Sequence, residues 1–144
     1  GKKVILSGIM AEPDEFLDIF SEFNIAVVAD DLAQESRQYR NDVPSGIDPL
    51  EQLAQWWQDF DGCPLAMNPD KPRGQMLIDM AKKYDADAVV ICMMRFCDPE
   101  EFDYPIYKVE FEKAGLRYTV VDVDLESPSL EQIRTRIQAF SEIL

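Results

Sequence analysis

Histidine is absent from this chain of 144 residues. Its absence removes the commonest general base and the commonest zinc ligand, and it excludes Ser-His-Asp and Cys-His hydrolase sites within this sequence. Cysteine is also scarce. The chain has three, and this odd number is a poor basis for a disulfide framework. With no secretory signal ahead of the first apolar run, we expect a reducing, cytoplasmic environment.

Basic residues are also few, 14 against 28 acidic ones, so the formal net charge is -14. Nucleic acids and anionic membrane surfaces both attract basic patches, and we therefore expect neither as a partner. No apolar run approaches the ~18 residues of a membrane span. Gly8 is not followed by a G-x-G-x-x-G pattern and the chain has no P-loop, so neither a Rossmann-type dinucleotide site nor a P-loop ATP site is expected.

Four short apolar runs alternate with segments of helical periodicity, which is typical of βαβ units. The predicted strands are Lys3–Ser7, Ile25–Ala29, Ala88–Met93 and Tyr118–Asp122. The predicted helices are Pro13–Phe23, Pro49–Phe60, Arg73–Tyr84, Phe102–Ala114 and a last one opened by Ser127-Pro128-Ser129. Because the strands are apolar on both faces, we predict an α/β three-layer sandwich with a four-stranded parallel sheet, in a single domain over residues 1–144.

Cys97 is the sharpest candidate for a functional side chain, because it directly follows the apolar strand in the run MMRFCDP (residues 93–99). A thiol in the loop that leaves a buried parallel strand lies where open α/β sheets place their ligands. We place Asp98–Glu101 in that loop, where a tight turn can fix the sulfur and Arg95 can lower its pKa. Two interpretations remain: a thiolate ligand to iron, or a small buried hydrophobic side chain.

The other two cysteines favour structural roles. Cys92 forms a C-x4-C pair with Cys97, a spacing found in plant-type ferredoxin ligation, but it lies within a strand that helices should cover. Cys63 precedes Pro64 in a predicted loop, and its separation of 34 residues from Cys97 matches no compact metal pattern.

Two adjacent carboxylates, Asp30 and Asp31, end the second predicted strand, with Ser36 and Arg37 just beyond. Carboxylates at this end of a parallel strand can bind a ribose, a metal or a substrate hydroxyl. The polar segment that follows, up to Pro49, reads as a long loop, and we therefore favour solvated loop charges.

Several short motifs occur together in one order along the chain. They are VADDL (28–32), Ser36-Arg37, DPL (48–50), Cys63-Pro64, RFCDP (95–99), Tyr104-Pro105 and QIRTR (132–136). This ordered set resembles the 2-hydroxyacyl-CoA dehydratase family, which includes the D-component of 2-hydroxyglutaryl-CoA dehydratase and benzoyl-CoA reductase subunits. The resemblance covers nearly the whole chain and is to the carboxyl-terminal domain of a longer subunit.

The resemblance implies a 4Fe–4S cluster held between domains by three cysteines. Cys97 matches the ligand that the carboxyl-terminal domain supplies, and the other ligands belong to a missing amino-terminal domain. The implied chemistry is an anaerobic radical elimination of water from a 2-hydroxyacyl-CoA through a ketyl radical. The cofactor would perform the radical chemistry, and the protein would bind and orient it.

The implied partners are a second dehydratase subunit, an ATP-dependent activator iron–sulfur protein and the acyl-CoA substrate. We expect the isolated chain to hold no stable cluster and to show no turnover. Two alternatives stay open: a benzoyl-CoA reductase-type subunit domain, and a non-catalytic α/β interaction domain.

Overall fold

The computed structural model describes residues 1–46, 48–66, 68–124 and 129–144. The described elements, in chain order, are β1 (Lys2–Gly8), α1 (Asp14–Glu22), β2 (Ile25–Leu32), a short 3-10 helix (Ser36–Tyr39), α2 (Pro49–Gln58), α3 (Arg73–Lys83), β3 (Ala88–Met94), α4 (Asp98–Ala114), β4 (Arg117–Val123) and α5 (Leu130–Ile143). The predicted alternation of strands and helices is confirmed. The predicted helix opening at Ser127 and Pro128 lies outside the described residues.

The described strands form one parallel sheet in the order β2-β1-β3-β4, which confirms the predicted fold class. The strand order reverses between β1 and β3, and open α/β sheets bind ligands beyond the carboxyl ends of the strands at such a reversal. Gly8 of β1 pairs there with Cys92 of β3. A Cβ on Gly8 would lie 2.3 Å from the backbone oxygen of Cys92, so only glycine allows this close approach.

One face of the sheet is covered by α1 and α5. The inward side chains of these helices and of the central strands are aliphatic or aromatic and are almost completely buried: Val4, Leu6, Phe16, Ile19, Phe20, Val90, Ile133, Ile137 and Phe140. Burial of apolar surface at about 25 cal/mol per Å² is what holds such a layer to the sheet. We refer to this side as the apolar face.

The opposite face is covered by α3 and α4, which pack on Ile5, Val89 and Ile91. Gly74, in the first turn of α3, brings the two helices close together. A Cβ at this position would lie 2.8 Å from the Cβ of Tyr107 in α4. The carboxyl end of this side carries charged side chains, described below, and we refer to it as the charged face.

Helix α2 lies apart from both layers, and none of its residues is buried. It begins where Asp48 accepts a hydrogen bond from the Leu50 N–H at 2.9 Å, with Pro49 in the first turn, as predicted. The Trp56 indole N–H donates to the Asn41 carbonyl at 2.9 Å and ties α2 to the preceding loop. Among the helices described, none is long and apolar enough to cross a membrane.

One predicted boundary is wrong, and the error changes the site. Helix α4 begins at Asp98 instead of Phe102, since Pro99 fits a first turn whose N–H groups lack helical partners anyway, while Pro105 lies inside the helix. The predicted loop at 98–101 is therefore the first turn of α4. Strand β2 ends at Leu32, one residue after the Asp30–Asp31 pair that was predicted to close it.

Candidate functional site

Cys97 lies between the end of β3 and the first residue of α4. Its N–H donates to the Met94 carbonyl at 3.2 Å, and its own carbonyl accepts from the Glu101 N–H at 3.0 Å. The backbone is thereby fixed on both sides while the side chain stays half-buried. Cys97 directly precedes the first residue of a 17-residue helix.

The residue before it, Phe96, is in an unfavourable conformation and environment. Its φ is 63°, in the left-handed region that costs a side-chain-bearing residue roughly 1–2 kcal/mol. Its ring is 92% exposed to solvent. Asn24, Lys71 and Asp85 share this conformation, so what sets the Cys97 turn apart is the exposed ring of Phe96 and not its φ alone.

Cys92 is placed in the core of the apolar face with no exposed surface, in agreement with the structural role predicted for it. Burial raises the pKa of its thiol, and the nearby Glu100 carboxylate raises it further. A thiol that stays protonated is a poor metal ligand and a poor nucleophile. The C-x4-C pair therefore joins two cysteines in different surroundings.

Cys63 is half-buried in the loop that follows α2. Its sulfur lies 3.7 Å from Nη1 of Arg37, within hydrogen-bonding range for sulfur. It also contributes to the wall of a cavity of about 510 Å³ with aromatic sides formed by Trp56, Trp57 and Phe60. Cys63 and Cys97 are thus carried by loops that leave different elements.

Asp31 is fully buried, which overturns the prediction of solvated loop charges at Asp30 and Asp31. Arg37 grips the Asp31 carboxylate from the 3-10 helix, with Nε 3.2 Å from one oxygen and Nη2 3.1 Å from the other. Arg40 reaches the same carboxylate at 2.6 Å. The Ser7 hydroxyl donates to it at 2.9 Å. The loop after β2 folds back over the sheet edge and supplies these cations.

Asp30 has a different, local role. Its side chain accepts hydrogen bonds from the N–H groups of Leu32 and Ser36, both at 3.1 Å. The Ser36 hydroxyl donates to the Asp30 carbonyl. These bonds shape the turn into the 3-10 helix and so place Arg37 over Asp31.

Two functional candidates were missed from the sequence, Arg73 and Glu100. Arg73, the first residue of α3, donates from Nη2 to Glu100 at 2.9 Å and to the Ser7 hydroxyl at 3.0 Å. The side chains of Arg73 and Glu100 are 3% and 1% exposed. Burial by itself lowers the pKa of the Arg73 guanidinium, but Asp31 and Glu100 raise it more, so the net direction is upward.

These side chains form what we call the buried charge cluster: Asp31, Arg37, Arg40, Arg73 and Glu100. It ties the carboxyl ends of β1 and β2 to the first turns of α3 and α4. The sequence signalled Asp31 and Arg37 through their position at the end of β2, and it signals Glu100 through its position one helical turn after Cys97 once α4 is known to start at Asp98.

The arrangement presents the half-buried Cys97 thiol on a backbone turn that hydrogen bonds fix on both sides. Within the described ranges, no group of three or more His, Cys, Asp or Glu side chains is placed to hold a metal ion. Cys97 can therefore supply a single ligand to a shared metal group.

A spacious cavity of about 830 Å³ lies elsewhere, between β4 and α5, and no cysteine lines it.

Comparison with known proteins shows where this arrangement belongs. Residues 1–144 match the family described as 2-hydroxyglutaryl-CoA dehydratase, D-component. The chain is 54% identical over 145 residues to the lactoyl-CoA dehydratase subunit beta of Anaerotignum propionicum, and 45% identical over 144 residues to the (R)-phenyllactyl-CoA dehydratase beta subunit of Clostridium sporogenes. It is 30% identical over 148 residues to the (R)-2-hydroxyglutaryl-CoA dehydratase subunit beta of Acidaminococcus fermentans.

All of this chain is covered in each comparison, but only 39%, 38% and 39% of the respective relatives. The chain thus spans about two fifths of the length of these curated relatives. The match over its whole length and the identity with three dehydratase subunits lead to one conclusion. The chain belongs to the 2-hydroxyglutaryl-CoA dehydratase D-component family.

Proposed function

We propose that this chain is the carboxyl-terminal domain, residues 1–144, of a 2-hydroxyacyl-CoA dehydratase beta subunit, and that Cys97 supplies one thiolate to a 4Fe–4S cluster. The observation that carries the proposal is the placement of Cys97: a half-buried thiol on a fixed turn, at the carboxyl end of β3 and the amino end of α4. Identity of 54% with a dehydratase beta subunit supplies the reaction class.

The chemistry of Cys97 fits one ligand of such a cluster. Thiolates are the usual ligands of iron–sulfur clusters, and Cys97 is a half-buried thiol that metal can reach. Cys92 does not fit, because it is sealed in the core and its pKa is raised. Since one thiolate cannot hold such a cluster, the other two of the three cysteines that the family resemblance implies would come from the part of the subunit outside this chain.

When bound, the cluster supplies single-electron transfer for the elimination of water from a 2-hydroxyacyl-CoA. The chain's own residues support it. Cys97 would hold iron, and the Arg73–Glu100 ion pair keeps the first turn of α4 in place. Phe96 offers an exposed apolar ring beside the ligand.

The proposed partners follow from the same family membership. They are a second dehydratase subunit, an ATP-dependent activator iron–sulfur protein and an acyl-CoA substrate. The three relatives are named as dehydratase beta subunits, which favours the dehydratase over the benzoyl-CoA reductase alternative. The cysteines at positions 63, 92 and 97 are free thiols, which supports a reducing cytoplasm as the working compartment.

The proposal is tested by turnover of the full-length subunit, assembled anaerobically with its second subunit and activator. We expect conversion of a 2-hydroxyacyl-CoA to the enoyl-CoA, followed by mass spectrometry, and loss of this conversion in Cys97→Ala. Cys63→Ala is the matched control, since it removes the other half-buried loop thiol. Unchanged turnover in Cys97→Ala would refute the assigned role of this sulfur.

A further inference from the structure

The first turn of α4 is anchored by a buried ion pair. Glu100 lies one helical turn beyond Cys97, and its carboxylate receives a hydrogen bond from Arg73 of α3 at 2.9 Å. Ser7 at the end of β1 shares the same guanidinium group at 3.0 Å. The turn that carries Cys97 is therefore tied to α3 and to the sheet by charged groups, at a site where helix–helix packing elsewhere uses apolar side chains.

This pair is incompletely satisfied. Among the described residues, the second Glu100 oxygen and the Arg73 Nε and Nη1 atoms are buried without a hydrogen-bond partner. Arg73 Nε is 3.6 Å from Asp31, an ion-pair distance that is not a hydrogen bond. The Tyr107 hydroxyl, on the residue whose ring lies under Arg73, also has no partner in this part of the chain. Apolar residues of similar size would satisfy the packing with no such penalty.

The two charges are arranged unequally with respect to Cys97. Glu100 is the third residue of the helix that Cys97 precedes, and side chains three positions apart on a helix are neighbours. Arg73 belongs to the other helix and approaches Glu100 from α3. Inside a protein the screening of charge is weak, so the negative end of this pair acts on whatever Cys97 holds.

We propose that the buried Arg73–Glu100 ion pair positions Cys97 and lowers the reduction potential of the iron–sulfur group that Cys97 binds; this inference rests on the proposed function. A negative charge near a cluster disfavours the reduced form, which is the more negative one. Net charge and hydrogen bonding around the ligands are among the known determinants of cluster potential.

The test is a redox titration of the full-length subunit, reconstituted with iron and sulfide and followed by EPR. We expect Glu100→Gln to shift the potential upward, because it leaves Arg73 uncompensated. Arg73→Met should shift it downward, because it leaves Glu100 uncompensated. Shifts of opposite sign cannot come from a merely structural role, since loosening of the first turn would move both variants in the same direction.

Glu101→Gln is the matched control, with the same change of charge in the same turn but on an exposed side chain. Its shift should be much smaller than that of Glu100→Gln. Equal shifts in these two variants, or shifts of one sign in Glu100→Gln and Arg73→Met, would overturn the inference.

Either single variant can fail to fold, because each leaves one buried charge unpaired. The double variant Arg73→Met with Glu100→Gln contains no unpaired charge and then decides the question. We expect it to hold iron at a potential above that of the wild type, since the lost carboxylate belongs to the helix that follows Cys97 and the lost guanidinium belongs to α3. A double variant at the wild-type potential would contradict the proposal.

The same preparations separate this inference from the proposed function. If Cys97→Ala keeps its iron, the proposed function itself fails. If Cys97→Ala loses iron and the charge variants keep the wild-type potential, the ligand assignment stands and only the tuning role of Arg73 and Glu100 is lost.

Discussion

The two faces of the same sheet bury different kinds of side chain. On the apolar face, α1 and α5 meet β1 and β3 through side chains such as Phe16, Val90 and Ile137, none of which has any exposed surface. On the charged face, Asp31, Arg37, Arg73 and Glu100 occupy the carboxyl end of the sheet and are as thoroughly buried. One sheet therefore combines a purely hydrophobic layer with a layer that holds several ionised groups out of water.

The difference shows what each face contributes. Apolar burial is non-directional and stabilises the fold in proportion to area. A buried ion pair contributes little net stability compared with apolar residues of the same shape, but it fixes orientation, and its disruption is costly. The charged face lies under the Cys97 turn, whereas the apolar face holds the inert Cys92. Both faces therefore bury apolar side chains, since the charged face has its own cluster around Ile5, Leu77 and Phe111, but only the charged face adds buried ion pairs beside the Cys97 turn.

The comparison is tested most severely by Asp31→Asn on the charged face. This variant leaves Arg37 and Arg73 without their shared carboxylate, and we expect the free energy of unfolding to fall by about 3–5 kcal/mol. Urea unfolding measures the change. Asp122→Asn, the same substitution at an exposed position of β4, should have little effect. Equal effects at Asp31 and Asp122 would show that the buried charges do not hold the charged face together.

The matching test of the apolar face is Ile137→Ala in α5, a residue with no exposed surface. We expect a loss of about 2–5 kcal/mol from lost burial and the cavity left behind, with no unpaired charge involved. Urea unfolding measures this change as well, and Ile143→Ala in the same helix, at an exposed position, is the control. Equal losses at Ile137 and Ile143 would show that apolar burial does not hold α5 to the sheet.

A smaller effect is expected at the contact between α3 and α4. Gly74→Ala would bring a methyl group within 2.8 Å of the Tyr107 Cβ, so the helices must separate slightly. We expect the free energy of unfolding to fall by about 1–3 kcal/mol, the usual cost of overpacking. Thermal unfolding followed by circular dichroism would measure this. A more stable Gly74→Ala variant would mean that α3 and α4 can accommodate a methyl group between them without separating.

The mildest test compares the thiols and leaves stability unchanged. Cys97 and Cys63 are half-buried, while Cys92 is sealed on the apolar face with its pKa raised by burial. Under native conditions at neutral pH, iodoacetamide should modify Cys97 and Cys63 and spare Cys92, as read by peptide mass spectrometry. Modification of Cys92 as fast as Cys97 would show that the apolar face opens readily.

Periodicity predicted the layers well, because the strands and helices bury apolar side chains at regular spacing. The apolar run at Val89–Ile91 and the position of Cys97 after it were both predicted correctly. The first turn of α4 was missed because Pro99 was taken as a turn former, although a proline near the start of a helix loses no hydrogen bond.

The buried charge cluster could not be predicted from local pattern. Arg73 and Glu100 are 27 residues apart, and Arg73 and Ser7 are 66 apart. Charged residues are normally exposed, and only a partner brought close by the tertiary fold makes their burial tolerable. Asp31 was misjudged for the same reason, since the cations that neutralise it arrive from a loop and from another helix.

The central claim is that the Cys97 sulfur binds iron, and iron content tests it most directly. The full-length subunit is reconstituted anaerobically with iron and sulfide, and iron per subunit is measured with the absorbance at roughly 400 nm that cluster thiolates produce. We predict that Cys97→Ala loses the iron and the absorbance band while Cys63→Ala retains both. Retention of iron and absorbance in Cys97→Ala would contradict the account.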